Sequence, residues 1–522
     1  MEIVGDKALV IRTRNPQKII DAIPKSEILK RGEDLSEVAV NWGLDETLVL
    51  HNLGYSKAPS PIISRYKWCG IHTPFAHQKE TAAFLTTNHR CFVLNEAGTG
   101  KTSAAIWAAD YLMKKGRVNR VLIIAPLSIL SSAWQSDLFK VAMHRTVSVA
   151  HGAANKRKQI IKEGSEFVII NYDGVEVVVD EILEGGFDLI IADECTSLKN
   201  PSTKRWKTVK KIIKPNTRLW MMTGTPAAQS PLDAYGMAKL VNPEQVPRTF
   251  GGWRDMTMQH ISQFRWIPKP RAKEIVHAAL QPAIRFTKEE CLDLPDVIYM
   301  TRDVELTPQQ KRYYEVLRKE MLFSASGEEV TAVNAATKMG KLLQISGGAV
   351  YTDDKQILEF DVSNRMNVLK EVLDETSNKA IVFAPYRHTI ELLRVFLEKE
   401  GISVELIHGD VSVNKRTDIF NRFQTQSDPK VLVIQPQAAS HGVTLTAADN
   451  VIFWSPVTSV ETYIQCIARM DRFGQKNKMT VTHLQGSEVE RKLYKALQDR
   501  KNLHEELVAL YRGLTSDAVV VK

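Results

Sequence analysis

The sequence predicts an α/β protein made of two tandem parallel-sheet domains, with helical insertions and a small domain at the amino terminus. Three observations carry that prediction. Short, strongly apolar runs recur between amphipathic stretches over residues 90–224, and a second series follows over 379–456. A strand buried on both faces reads as such a run, and the intervening helices supply the crossovers that parallel pairing requires. The chain has 522 residues, more than one compact domain ordinarily holds, so two such sheets plus appendages account for its length.

In chain order, residues 1–68 read as a separate small unit. It comprises a strand at 7–13, a helix at 17–23 ended by Pro24, an apolar segment at 46–55 and a break at Pro59-Ser60-Pro61. Residues 69–245 form the first α/β domain, with strands in the runs 90–96, 120–126, 166–172, 188–194 and 218–224. Each run ends in small or polar residues, which places ligand groups beyond the carboxyl ends of the strands. Residues 246–365 read as a linker with helical insertions around 309–323 and 332–345. The second α/β domain spans 366–485, with runs at 379–385, 404–409, 430–436 and 450–456, and 486–522 form a helical extension.

Composition removes several classes. Apolar residues make up 44% and charged residues 25%, which excludes wholesale disorder. The five cysteines, Cys69, Cys91, Cys195, Cys291 and Cys466, never approach CxxC spacing, so neither a zinc ribbon nor a disulfide framework is indicated. No apolar run is long enough to span a bilayer, and Asp6 and Arg12 interrupt the place where a signal peptide needs an apolar core. A cytosolic protein with no membrane partner is the expectation. The net charge is +9, from 69 Lys and Arg against 60 Asp and Glu. Its distribution matters more than its sum: residues 199–218 hold eight basic residues and no acid. A helix there would bury Trp206, Val209, Ile212 and Ile213 and turn Lys204, Arg205, Lys207, Lys210, Lys211 and Lys214 outward, a face suited to nucleic-acid phosphates. A second candidate contact region lies at 264–273.

The segment Val93–Thr102, VLNEAGTGKT, reads as a strand, a glycine-bearing loop and the start of a helix. Gly98 and Gly100 let the backbone, with Thr99 between them, curl around a phosphate. Lys101 can reach the β and γ phosphates of a nucleotide, and Thr102 can bind Mg²⁺. The usual pattern has a glycine where this chain has Asn95, a residue that tolerates unusual backbone angles. The run 189–194 ends in Asp193, a second Mg²⁺ ligand, and Glu194, placed to orient an attacking water. Thr223 and Thr225, after the run 218–222, are placed to couple the nucleotide to movement. In the second domain Gln465, Arg469 and Arg472 have helical spacing and read as one face supplying charge to a triphosphate. Gly442 and Thr444 lie in a stretch suited to phosphate groups.

These blocks occur in the order NEAGTGKT, IIAPLSILSSAWQSDL, IIADECTSLKN, MTGTPAAQSPLDAYG, HGD, Gln437–Thr446 and QCIARMDRFGQ. Together they resemble the SWI2/SNF2-type branch of the superfamily 2 helicases and translocases, over about 70–510. The resemblance implies two RecA-like motor domains that share one ATP with Mg²⁺, and Gln78 as the residue that reads adenine. It implies double-stranded or branched DNA as the partner, a monomeric motor, and a DNA-stimulated ATPase rather than a strand separator. The compact layout is similar to bacterial or phage members. Residues 1–68 are loosely similar to the substrate-recognition domains of fork-remodelling motors, which points to replication or recombination proteins as further partners in a bacterial or phage-infected cell. One departure stands out: the family's DEAH is Asp193-Glu194-Cys195-Thr196 here, which changes the contacts between nucleotide and domain closure. A strand-separating DNA or RNA helicase is the rival enzymatic reading, and an ATP-binding scaffold the non-enzymatic one.

Overall fold

Alternation between buried and more exposed residues in the strands Ala8–Thr13 and Ser36–Asn41 marks the first sheet as having one covered face. The computed structural model describes residues 1–499 apart from 228–229, 263–264, 292–294, 296, 326–331, 352–355, 377, 440–442 and 473. β1 (Glu2–Val4), β2 (Ala8–Thr13), β3 (Ser26–Lys30) and β4 (Ser36–Asn41) pair antiparallel in the order β1-β2-β4-β3. Leu9, Ile11, Val38 and Val40 bury with Ile19 and Leu50, each of which lies on a helix. This sheet has its own core, yet the chain after it does not stand apart. Leu44, Ile62 and Tyr66 join the core of the next sheet, and the buried Ser60 and Thr86 hydroxyls lie 2.7 Å apart.

The chain divides into two compact units. The first holds residues 1–226, 234–253 and 274–291; the second holds 227–233, 254–273 and everything from 292 onward. In the first unit β5 (Arg90–Val93), β6 (Val121–Ala125), β7 (Val147–Ala150), β8 (Phe167–Asn171), β9 (Leu189–Asp193) and β10 (Arg218–Met222) are parallel. Every residue of β6 and β9 is buried. Val121, Ile123 and Ala125 pack with the helix Lys101–Lys114, and the alternate residues Leu122 and Ile124 bury on the opposite face. That two-sided burial is why the sequence shows runs rather than alternation.

The stretch 246–365, read above as a linker, contributes to both units. A hairpin of β11 (Met258–Ser262) and β12 (Arg265–Pro268) belongs to the second. β13 (Ala283–Ile284) then pairs with β5, completing the order β13-β5-β10-β9-β6-β8-β7. Two residues are too few for any period to be read from sequence. β14 (Val297–Asp303) joins the second unit's sheet instead, and the helices that follow it bring Tyr314, Met339, Leu342 and Leu343 into that core.

After a small hairpin of β15 (Ala349–Tyr351) and β16 (Ile357–Glu359) come β17 (Lys379–Phe383), β18 (Val404–Ile407), β19 (Val431–Ile434), β20 (Ala448–Phe453) and β21 (Met479–Gln485). They form a second parallel sheet in the order β14-β21-β20-β17-β19-β18. The helix Glu488–Gln498 covers it with Val489, Leu493 and Leu497; the remainder of the expected extension lies outside the described residues. Two RecA-like parallel lobes with helical insertions and a small antiparallel sheet are thus present. Among the described residues no helix is long and apolar enough to cross a membrane.

Arg365 and Glu490 form a bidentate pair in the second unit, with both bonds at 2.8 Å and both side chains buried. Arg365 also donates to the Trp454 carbonyl at 2.6 Å, and Glu490 accepts from the Gly486 and Ser487 amides. Removing one partner strands the other charge in the core, a cost of about 3–5 kcal/mol. Arg365→Leu is therefore expected to lower unfolding free energy by roughly that amount in urea titration, whereas Arg12→Leu, at an exposed pair with Glu37, should change it by under about 1 kcal/mol.

Candidate functional site

At the carboxyl end of β5 the chain turns through Asn95–Gly100 into the helix Lys101–Lys114. Gly98 and Gly100 have φ of 92° and 81°, the left-handed region that glycine enters without strain. At Gly100 a Cβ would also lie 2.0 Å from Gln78 Nε2, so a side chain there would displace the Gln78 amide. The Lys101 ammonium donates to the carbonyls of Asn95 at 2.8 Å and Glu96 at 3.1 Å. Gln78 Nε2 donates to the Thr99 carbonyl at 3.2 Å, and His77 Nε2 lies 2.8 Å from the same oxygen. Gln78 Oε1 meanwhile accepts from the Phe75 amide. Beside these residues opens a cavity of about 540 Å³ lined by Phe75, His77, Arg285 and Phe286, among others.

Asn95 does not have a positive φ, so backbone tolerance is not its role. Its carboxamide bridges two elements, donating to Thr81 Oγ1 at 2.9 Å and accepting from the Phe286 amide at 3.1 Å. The pairing of β13 with β5 continues past the strand: the Glu96 amide donates to the Phe286 carbonyl, and Glu96 Oε2 accepts from the Lys288 amide. A segment almost two hundred residues downstream therefore braces the loop. Sequence spacing offers no signal for such a contact.

Asp193 is the last residue of β9, and Glu194 follows it. Asp193 is 7% exposed. Burial, then the neighbouring Glu194 charge, push its carboxyl up to about 6, while Lys101 and a hydrogen bond from Trp134 act in the opposite sense. Trp134 Nε1 donates to Asp193 Oδ2 at 2.8 Å, the Glu194 amide donates to Oδ1 at 3.0 Å, and Tyr172 Oη donates to the Asp193 carbonyl at 2.7 Å. Glu194 has φ 47° and ψ 54°, one of two non-glycine residues with positive φ among those described, a strain typical of functional turns. Thr223 Oγ1 lies 3.5 Å from Glu194 Oε2 and accepts from the Thr225 amide at 3.2 Å. Gly224 brings its backbone against Asn95 and Ala97 of the loop. Cys195 is buried 3.5 Å from Met237 Sδ, so the departure from DEAH fills an apolar site. Trp134 and Tyr172 were not singled out from sequence; their signal was position, just beyond the apolar runs of β6 and β8.

The basic segment forms the helix Lys204–Ile212, capped by the Thr203 side chain and burying Trp206, Val209 and Ile212. Its six expected contact residues are not equivalent. Lys204 pairs with Glu176, Arg205 with Asp173 at 2.7 Å, and Lys214 donates to the Leu183 carbonyl at 2.7 Å. Lys207, Lys210 and Lys211 are exposed, Lys210 over the Trp206 ring. Of the region 264–273, Phe264 lies outside the described residues.

In the second unit the expectation of one helical face for Gln465, Arg469 and Arg472 is corrected. The helix Val460–Ile467 ends before either arginine. Their Nε atoms instead reach back four residues, Arg469 to the Gln465 carbonyl at 2.8 Å and Arg472 to the Ala468 carbonyl at 2.7 Å. These carbonyls lack intrahelical donors, so the arginines satisfy the helix end. Arg469 also donates to the Val443 carbonyl, and Arg472 Nη1 to Thr444 Oγ1 at 3.3 Å. Arg469 and Gln465 are buried. Gly442 lies outside the described residues.

The raised carboxyl of Asp193 has a stability consequence. Between about pH 4 and 6 the unfolded chain gives up this proton while the folded chain keeps it, so its contribution falls with rising pH and stays unfavourable above 6. Asp193→Asn is expected to stabilise the nucleotide-free protein at pH 7.5 by roughly 1–3 kcal/mol, a gain that disappears near pH 3.5. Urea unfolding at both pH values measures it.

The loop, the acidic pair and the hydroxyls of the first unit belong together at one sheet edge, and their residue types fit a magnesium nucleotide: glycines where side chains are excluded, an ammonium, a hydroxyl and a buried carboxylate. A profile of the SNF2-related domain matches residues 39–355, and one of the helicase conserved C-terminal domain matches 364–474. The putative protein p41 of Acyrthosiphon pisum secondary endosymbiont phage 1 is 27% identical over 76% of this chain and 88% of its own. The human DNA annealing helicase and endonuclease ZRANB3 is 24% identical over 78% of this chain, a match spanning only 38% of that longer protein. The solved Sulfolobus solfataricus SWI2/SNF2 ATPase core in complex with dsDNA is 23% identical, covers 83% of this chain and 92% of that one, and has a TM-score of 0.42. With the profile extending over more than half of its length, the chain belongs to the SNF2-related family, and it is an ATP-hydrolysing enzyme.

Proposed function

We propose that this enzyme is a translocase that tracks double-stranded DNA and remodels forks or branched junctions, acting as a monomer in the cytoplasm of a bacterial or phage-infected cell. The observation that carries the reading is the gathering of Lys101, Asp193, Glu194 and Thr223 at the carboxyl edge of one parallel sheet. In this reading the amides of Gly98–Thr102 receive the phosphates of ATP, and Lys101 exchanges its two loop carbonyls for phosphate oxygens. Thr102 and Asp193 hold Mg²⁺. The ion, when bound, neutralises charge building on the transferred phosphoryl group. Glu194 orients the attacking water, and its contact with Thr223 passes the state of the site along the sheet edge to Thr225. The cavity beside Gln78, with Phe75 and Phe286 in its wall, suits a purine ring. Gln465, Arg469 and Arg472 of the second unit, with Gly442 and Thr444, are assigned to contact with phosphate groups.

Support for DNA comes from the helix Lys204–Ile212 and from the likeness to the human DNA annealing helicase and endonuclease ZRANB3. Lys207, Lys210 and Lys211 offer charge to phosphates without first breaking an ion pair, whereas Lys204 and Arg205 are already committed. Residues 1–68 are assigned the recognition of branched substrate. Because Leu44, Ile62 and Tyr66 sit in the core of the first unit, surface substitutions on β1–β4 test that role better than truncation.

Lys101→Ala and Glu194→Gln should each abolish DNA-stimulated ATP hydrolysis while the protein stays folded by circular dichroism; unchanged turnover in either variant sinks the reading. Neutralising Lys207, Lys210 and Lys211 together should weaken DNA binding and reduce the salt slope by about two to three. Neutralising Lys204 and Arg205 should have a smaller effect. An ATPase panel with single-stranded, duplex, forked and four-way DNA and matched RNA separates the substrates, and triplex displacement against strand displacement separates duplex tracking from unwinding.

A further inference from the structure

Asp193 is held at three points by groups from three directions, and the most specific of these comes from a tryptophan. Trp134 is fully buried and lies in a π-helical turn, Leu130–Gln135, which follows β6. β6 is the direct neighbour of β9, so the turn leaves the sheet next to the point where Asp193 ends its strand. π-helical turns are rare and costly, and they persist where they aim a side chain at a site. This one aims the indole N–H at Asp193 Oδ2, 2.8 Å away. The opposite oxygen, Oδ1, takes the Glu194 amide at 3.0 Å, and Tyr172 from the end of β8 holds the main-chain carbonyl.

The two bonds to the carboxylate define its plane. Each oxygen accepts one N–H and keeps a further lone pair, so neither bond blocks coordination. An indole is a donor only and cannot itself bind a cation, which separates its role from that of Asp193. Buried apolar tryptophans need only a partner for their N–H; a main-chain carbonyl serves that purpose for Trp42, Trp107 and Trp206 here. Trp134 donates instead to a carboxylate, that of Asp193.

We infer that Trp134 is a positioning residue for the divalent cation, its indole N–H orienting the Asp193 carboxylate for metal coordination. The inference rests on the proposed metal role of Asp193. Groups that orient metal ligands through a hydrogen bond typically change metal affinity ten- to a hundredfold when removed. A residue that merely fills the core changes nucleotide binding with and without metal alike.

The test is calorimetric binding of a non-hydrolysable ATP analogue to the full chain, with Mg²⁺ and with EDTA, for the wild type, Trp134→Phe and Asp193→Asn. Trp134→Phe is expected to weaken binding about tenfold or more with Mg²⁺ and to leave metal-free binding within about twofold. Equal losses in both conditions, or no loss in either, overturn the inference. If Asp193→Asn shows the metal-selective loss and Trp134→Phe does not, the inference alone fails. If Asp193→Asn shows none, the metal role assigned to Asp193 fails with it. Should Trp134→Phe not fold, benzothienylalanine at position 134 keeps the ring shape and lacks the N–H donor, and the same outcomes decide.

Discussion

A carboxylate that must remain charged while nearly excluded from water is the constraint around which the first unit is arranged. Asp193 ends a strand whose every residue is buried. Desolvation and the adjacent Glu194 both favour its neutral form. The opposing groups are Lys101 from the loop after β5, Trp134 from the turn after β6 and the Glu194 amide, while Tyr172 from the end of β8 holds the main-chain carbonyl. A parallel sheet brings the ends of all these strands to one edge, which no antiparallel arrangement of the same segments would do. The left-handed Glu194 then aims a second acid at Thr223, just past β10. Strain at that residue is tolerable because the surrounding bonds over-determine it.

The second unit solves a similar problem with arginine. Arg365 is neutralised inside the core by Glu490, and its bidentate geometry ties the helix Ser363–Asp374 to the helix that begins after β21. Arg469 and Arg472 instead satisfy main-chain carbonyls at the end of a short helix and reach the Val443–Thr444 segment. A guanidinium has five donors in a rigid fork, which lets one side chain both finish a helix and reach a second segment.

The segment 283–288 gives the phosphate-type loop an unexpected support. It lies along β5 and the loop as an added strand, and the chain then leads on to β14 of the second unit's sheet. Asn95, where a glycine is usual, is the residue that fastens it. Substitution at that place changed a flexible position into a bridge between Thr81 and Phe286.

What the sequence by itself determined follows from local physics. Two-sided burial writes strands as apolar runs, and a phosphate loop needs glycines and a lysine at short fixed spacing, so both sheets, the loop and the acidic pair were legible from contiguous residues. The apolar stripe of the helix Lys204–Ile212 was equally legible, since Trp206, Val209 and Ile212 repeat at three residues. What only the tertiary structure decided depends on residues distant in sequence. Which basic residues are already paired turned on Glu176 and Asp173, and the bracing of the loop turned on a two-residue strand without a readable period. Helical spacing suggested one face for Gln465, Arg469 and Arg472, but spacing carries no information about where the backbone stops being helical. Trp134 and Tyr172 reach Asp193 from two other strand ends, one at its carboxylate and one at its main-chain carbonyl, and only the packing of the sheet brings them there.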